Sequence, residues 1–573
     1  MPDGFSRTVH RQPFRAAGLS GPWILTAFVL VVVACLTLLP IGRLFMVALA
    51  PGGALDLTEF LARIARPSAW RATLNTVDTA FFGACAALAL ALPLTLAVAL
   101  TNVPGRLALG YCIILPLMIA PQVTAIAWLH LFGPSSTLLH LVGLAPAPGA
   151  RNPMLGRGGI ILLYAVQHAP IVFIALRAGL AQVPRDLIEA ARASGARPLR
   201  VLATVILPLI RPYLAAGFSL AFISGIGNFG IPALLGLPVN YLTLSTLIYQ
   251  KLSSSGPDVL PDVAALSIIV TVATLVGIGL QRLATGGKPA RMTAGPAFHF
   301  ALGRWRLPVA LAAWGVILLT LVLPALALIV TSLIPAFGVP LGWSTVTLDN
   351  YVEVLWRQAS TTRAFVNSFL LSSTAALLLA GFALPLGWLM MRWPRRVATA
   401  VGGAIDLPYA IPGIVLAIAA ILLFLKPLPL IGSLYATPWI ILIAYLMRFL
   451  ALAGKPVSTA LAQIPPALDE AAAASGARPL RRLTTISAPL AAPAAIAGAL
   501  LVFMSAFNEL TVSALLWSSR HETLGVVLFS LEEAGLGTQA AAIAVTSLLV
   551  VIVTLGLIDR LGRRLPPGVL PWR

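Results

Sequence analysis

Two short stretches of the chain place one carboxylate among small residues at the same spacing. The first is Glu189-Ala190-Ala191 with Gly195 following; the second is Glu470-Ala471-Ala472 with Gly476 following. The surrounding residues repeat as well. Ser194 to Arg200 recurs residue for residue at Ser475 to Arg481, and Pro208 recurs at Pro489, all at an offset of 281. A single carboxylate with no neighbouring base, nucleophile or ligand set suggests docking rather than catalysis. Proline at 184, or at 465–466, starts a helix. Alanines sustain it and keep its surface thin. Gly195 and Gly476 supply the left-handed turn that ends it, and Pro198 and Pro479 prevent its continuation. Such a helix fits a groove on a partner, and its carboxylate can form a charge-assisted bond to an Arg or Lys there.

A second group of polar residues falls inside apolar runs, where ionisable groups are costly and mark function. Asp406, Arg448, Glu509, His130 and His168 belong to it, with Asn228 and Asn508. Asn228 sits in Gly225-Ile226-Gly227-Asn228-Phe229-Gly230, and an offset of 281 aligns it with Glu509. Two symmetry-related polar points near the centre of a bundle suit a translocation path, so Asn228, Asn508 and Glu509 are the candidates for it. The histidines show no metal-ligand spacing. Glu532-Glu533 lies outside the apolar runs and reads as solvated surface. Cys35, Cys85 and Cys112 are unclustered and read as small core residues. No P-loop pattern occurs: Gly287-Lys288 and Gly454-Lys455 are each followed by Pro. ATP binding is therefore expected on separate chains. No resident cofactor or metal is expected, and the chain is expected not to be an enzyme.

The elements that hold these residues are membrane helices. Hydrophobic residues make up 59% of the 573 and charged residues 10%, far from a soluble domain. The expectation is an all-α polytopic fold with about twelve spans, the fifth over 213–235 and the eleventh over 490–517. With the N-terminus inside, the inner segments hold 25 of 38 Lys/Arg but only 6 of 18 Asp/Glu. That bias puts both termini in the cytoplasm. It also accounts for the net charge of +20 without nucleic acid.

The chain repeats itself beyond the two loops. Asn75 and Ala91-Leu92-Pro93-Leu94 match Asn367 and Ala383-Leu384-Pro385-Leu386 at an offset of 292, which becomes 281 by Leu180. The 11-residue difference falls in one loop, near 133–157 and 426–437. Two parallel six-span halves follow: residues 1–281 with the loop 184–212, a cytoplasmic linker 282–306, and residues 307–573 with the loop 465–493.

With these residues in view, the chain resembles the permease of a bacterial ABC importer, and its paired loops resemble that family's EAA motif. The resemblance covers nearly the whole chain. It implies that Glu189, Ala190, Ala191, Gly195 and Pro208, with Glu470, Ala471, Ala472, Gly476 and Pro489, form coupling helices on two ATPase subunits. It also implies a periplasmic substrate-binding protein as partner, and a place in the bacterial inner membrane. The stretch Ala506 to Trp517, with Glu522-Thr523-Leu524-Gly525, looks most like fused iron(III)-type permeases. Thiamine, phosphonate and polyamine importers are related alternatives. Ala488-Pro489 departs mildly from the family's usual Leu-Pro. A twelve-span secondary transporter would need an ionisable relay, which the sparse charges oppose.

Overall fold

The computed structural model describes residues 23–147, 149–285, 299–427 and 432–562. The linker segment 286–298 and both chain ends lie outside the described residues. Among the described residues the fold is helical, and a β-bridge joins Thr101 to Phe300. Nine helices of the described residues are long and apolar enough to cross a membrane, and four further pairs pass the same test only as bent units.

Two of those bent pairs are the third and ninth spans. Arg106–Met118 meets Pro121–Leu141, and Arg395–Ala410 meets Gly413–Phe424, each at 104°. Ala120 and Ile411 are extended, with ψ near 138° and 137°. Each precedes a proline, which disfavours the helical conformation for its predecessor.

The fifth span corrects the expectation. Its helix ends at Ile226, not at 235, and Gly230–Val239 with Leu244–Leu252 forms a separate pair bent by 74°. That pair is why the count can reach 13 rather than twelve. The eleventh helix likewise ends at Phe507, followed by Ser513–Leu516 and Leu524–Glu533. Apolar composition runs through both breaks, so hydropathy alone does not register them.

These outer helices are held by the same polar clip in each half. Asn75 Nδ2 donates to Leu242 O (2.8 Å), and Thr76 Oγ1 accepts from the Leu244 N–H (2.8 Å). Asn367 Nδ2 donates to Arg520 O and Glu522 O (3.1 and 3.0 Å), and Ser368 Oγ accepts from the Leu524 N–H (2.8 Å). Buried carbonyls and N–H groups in a membrane must find such partners.

Packing relies on small residues. Ala69, Ala72, Ala80, Ala84, Ala87 and Ala91 line the buried face of Pro67–Leu100. Gly83 on that helix admits Tyr164: a Cβ there would lie 2.6 Å from the Tyr164 Cβ. Close approach through small residues is how membrane helices gain contact without a hydrophobic driving force. The first span of each half packs on the other half, Leu39–Leu49 against Gly413–Phe424 and Leu323–Ser332 against Pro121–Phe132.

Four helices contain a π-turn that ends one residue before a proline's neighbour: Ala34–Leu38 before Leu39-Pro40, Leu202–Ile206 before Leu207-Pro208, Leu318–Val322 before Leu323-Pro324, and Leu483–Ser487 before Ala488-Pro489. Proline lacks an N–H and crowds the carbonyl four residues back. The wider turn relieves that crowding and takes up one extra residue. The cysteines are a second correction. Cys35 and Cys85 are exposed on the bundle surface and Cys112 is half-buried, so none is a core residue.

Candidate coupling loops and polar centre

The two carboxylate-bearing loops fold alike. Arg185–Ala193 and Pro466–Ala474 are short helices at one end of the bundle. Gly195 has φ +81° and Gly476 has φ +78°, the left-handed region that favours glycine. The Ala196 N–H donates to Ala191 O (3.1 Å) and the Ala477 N–H to Ala472 O (3.0 Å), which closes both helix ends. Glu189 and Glu470 are both exposed. Glu189 pairs with Arg185 one turn earlier (2.5 Å), whereas Glu470 has no ion pair among the described residues. Ala190 and Ala471 are exposed beside their glutamates, and Ala191 and Ala472 are half-buried. Pro208 and Pro489 lie beyond, each just after a π-turn.

What holds each loop to the bundle differs. In the first half Leu100, Ile188 and Val201 join one apolar cluster, and Ile188 is 1% exposed. The offsets of 292 and 281 map these three onto Arg392, Asp469 and Arg482. There Asp469 Oδ2 accepts from Arg392 Nη2 (2.6 Å) and Arg482 Nη1 (3.0 Å). The Arg392 guanidinium also stacks on Trp388, 3.6 Å from the ring centroid. Burial pulls the Arg392 pKa down, against the pull of Asp469.

The polar centre forms where four helix breaks meet. Asn228 Oδ1 accepts from the Ile231 N–H (3.1 Å), and Glu509 Oε2 accepts from the Val512 N–H (2.8 Å) and the Ser513 N–H (3.3 Å). Each side chain caps the short helix after its break, so Asn228 and Glu509 are structural counterparts. Asn508 is used differently. Its carbonyl accepts from Gln122 Nε2 across the halves (2.7 Å), and its Oδ1 accepts from Ser547 (2.7 Å). On the other side Gly227 lies against Pro412, where a Cβ would be 3.6 Å from the Pro412 Cγ. Above these breaks Tyr249 and Phe529, also counterparts, meet at 6.0 Å, with Phe229 beside both.

The remaining intramembrane candidates scatter. Asp406 pairs with Lys455 at an exposed position (3.0 Å). His168 is buried against Tyr164. His130 is buried and faces the Glu532 carboxylate across the halves (3.2 Å). Glu532 is therefore paired rather than solvated. It shares with Glu533, His130, Ser136 and Asn152 an outer cleft of about 580 Å³. Burial there pushes the Glu533 carboxyl up. Gln122, Gln167 and the Arg392–Asp469–Arg482 set are not singled out by motif. The repeat itself could reveal them, through positions where a charge in one half aligns with a neutral residue in the other.

Comparison with known proteins agrees with this architecture. The sequence model of the family described as binding-protein-dependent transport system inner membrane component matches residues 16–285 and 383–567. A probable ABC transporter permease of Sinorhizobium fredii is 30% identical over 550 residues, covering 93% of this chain and 94% of the relative. An Fe(3+)-transport system permease of Haemophilus influenzae is 25% identical, covering 65% of this chain and 70% of the relative. A probable molybdenum ABC transporter permease of Haloferax volcanii is 30% identical, covering 44% of this chain and 91% of the relative. Members of this family work with ATPase and substrate-binding protein partners and, in bacteria, lie in the inner membrane. With the family matched twice along one helical, multi-pass chain, the protein belongs to the binding-protein-dependent ABC importer permeases, as two fused halves.

Proposed function

We propose that this permease couples two ATPases to the passage of iron(III) through the centre between its halves. The single observation behind the coupling assignment is the pair of matching short helices, each closed by a left-handed glycine and each presenting an exposed glutamate. Glu189, Ala190, Ala191 and Gly195 form one docking helix, and Glu470, Ala471, Ala472 and Gly476 the other. Pro208 and Pro489 set the joint between each docking helix and its span. One ATPase takes each helix. Both termini and both loops face the cytoplasm, in keeping with the Lys/Arg bias of the inner segments. The halves are residues 1–281 and 307–573, joined by 282–306.

In this mechanism ATP closes the ATPases and draws the two docking helices together. The halves rock about their shared breaks, where Asn228, Asn508 and Glu509 border the path. A substrate-binding protein delivers its cargo at the opposite face. The driving force is the different affinity of ATP and cargo for the two arrangements. No step of covalent chemistry is assigned to this chain.

Iron(III) is favoured by the ferric permease of Haemophilus influenzae, whose likeness extends over most of both chains. The test is radiolabelled uptake in cells deleted for this gene. Loss of iron(III) uptake, restored by the intact gene, is expected. Unchanged iron uptake with loss of thiamine or phosphonate uptake would replace the substrate and leave the transporter standing.

A further inference from the structure

Arg448 and Gln167 occupy equivalent places in the two halves, 281 residues apart. Gln167 is fully engaged: its Nε2 donates to Pro116 O (3.0 Å) and Ile119 O (3.1 Å), and its Oε1 accepts from Thr124 (3.1 Å). It thereby satisfies the carbonyls freed at the break of the third span. Arg448 does no such work. Among the described residues it makes no hydrogen bond, and its nearest charge is Glu509, 3.9 Å from Nε. Its Nη1 is buried with no partner. That nitrogen lies over Gly413, where a Cβ would come within 1.7 Å, so the glycine makes room for the guanidinium at the ninth-span break. About a quarter of the Arg448 side chain remains accessible.

The first half builds the same breaks with neutral Asn228 and Gln167, so the architecture itself needs no charge. Glu509 has one oxygen committed to backbone N–H groups. The guanidinium therefore keeps donors free, beside the cross-half contacts of Gly227 with Pro412 and Gln122 with Asn508. A planar guanidinium with free N–H groups in a poorly solvated place is a receptor for an anionic oxygen group, which it can grip with two parallel bonds. A bare cation would be repelled there.

We infer that Arg448 is a binding residue of the translocation path and that the species crossing it presents anionic oxygens to the guanidinium. This rests on the permease reading above and narrows its cargo. The chemistry has two possible sources, a free oxyanion or an iron(III) chelate whose ligand oxygens face outward.

The test is uptake by cells expressing the complete transporter with the wild-type, Arg448→Gln, Arg448→Lys or Arg448→Gln/Glu509→Asn chain. The probes are radiolabelled ferric citrate, molybdate and thiamine. The expected result is wild-type uptake of ferric citrate or molybdate and at least a tenfold loss in Arg448→Gln, with membrane abundance retained. Arg448→Lys, which keeps the charge but not the planar fork, recovers only part of the rate. The double variant, which restores the neutral pair of the first half, stays defective. Loss confined to ferric citrate identifies the chelate, and loss confined to molybdate the free oxyanion. Full recovery in the double variant would show that Arg448 merely balances Glu509, and would overturn the inference. Wild-type uptake of thiamine that Arg448→Gln leaves unchanged would also overturn it. Failure of the permease reading would look different: ATP turnover would respond to no probe and to no docking-helix variant.

Discussion

The two proposed docking helices share Glu-Ala-Ala and the same closure, yet they are fastened to the bundle by opposite chemistry. Leu100, Ile188 and Val201 hold the first through apolar burial. Arg392, Asp469 and Arg482, at the same three places, hold the second through an ionic network. The repeat thus fixes where a fastening is needed but not what it is made of. An apolar anchor is indifferent to salt. An ionic one must offset the desolvation of its charges and weakens as ions screen it. Both exposed faces present a glutamate, but the first also carries Arg185 and Arg192 where the second has Pro466 and Ala473.

The largest effect is expected from placing the second anchor's charge into the first. Ile188→Asp buries a carboxylate in the apolar cluster of Leu100 and Val201, without the arginine pair of the second half, a change that costs about 3–5 kcal/mol. We expect the first loop to become protease-sensitive and uptake to be lost, while the second loop keeps its protection in the same digest. Retained uptake would mean that the Ile188 contact does not hold the loop. Asp469→Ala is next. It leaves two arginines facing each other, and because all three groups are partly exposed the expected cost is about 1–3 kcal/mol. Thermal unfolding of the purified transporter measures it.

The full exchange sharpens the contrast. Arg392→Leu/Asp469→Ile/Arg482→Val gives the second loop the first loop's anchor, and the net change is expected to lie between neutral and about 2 kcal/mol stabilising, because apolar replacement of a buried ion network is commonly neutral or stabilising. A loss as large as that of Asp469→Ala would show that the ionic set has a role beyond fastening. The smallest effect is that of salt. Raising ionic strength from 0.05 to 1 M should lower the midpoint of loop opening only in the second half, and the triple variant should abolish that dependence. Cysteine accessibility at Arg197 and Arg478 reads both loops at once.

Much of this organisation is legible in the sequence because repetition exposes it. Gly195 and Gly476 end their helices as spacing requires, and Pro121 and Pro412 mark breaks that an apolar run conceals. The ends of the fifth and eleventh spans are not legible from hydropathy. Residues 227–235 are as apolar as a helix, and the break is set by where Asn228 and Glu509 direct their oxygens. Asn508 is legible as a polar point by type, but its partners are not: its side chain is engaged by Ser547 and its carbonyl by Gln122. His130 and Glu532 are 402 residues apart, and only the packing of one half on the other brings them together.

The π-turns before Pro208 and Pro489 have a further consequence, for phase. A helix advances about 100° per residue, so one residue absorbed in a wider turn resets the azimuth of everything before it relative to everything after it. Leu202–Ile206 and Leu483–Ser487 lie between each docking helix and its span. Deleting one residue from either segment would swing that docking helix around the bundle by roughly a quarter turn. If the ATPases dock as proposed, the compass bearing at which each half meets its partner is written into a single surplus residue.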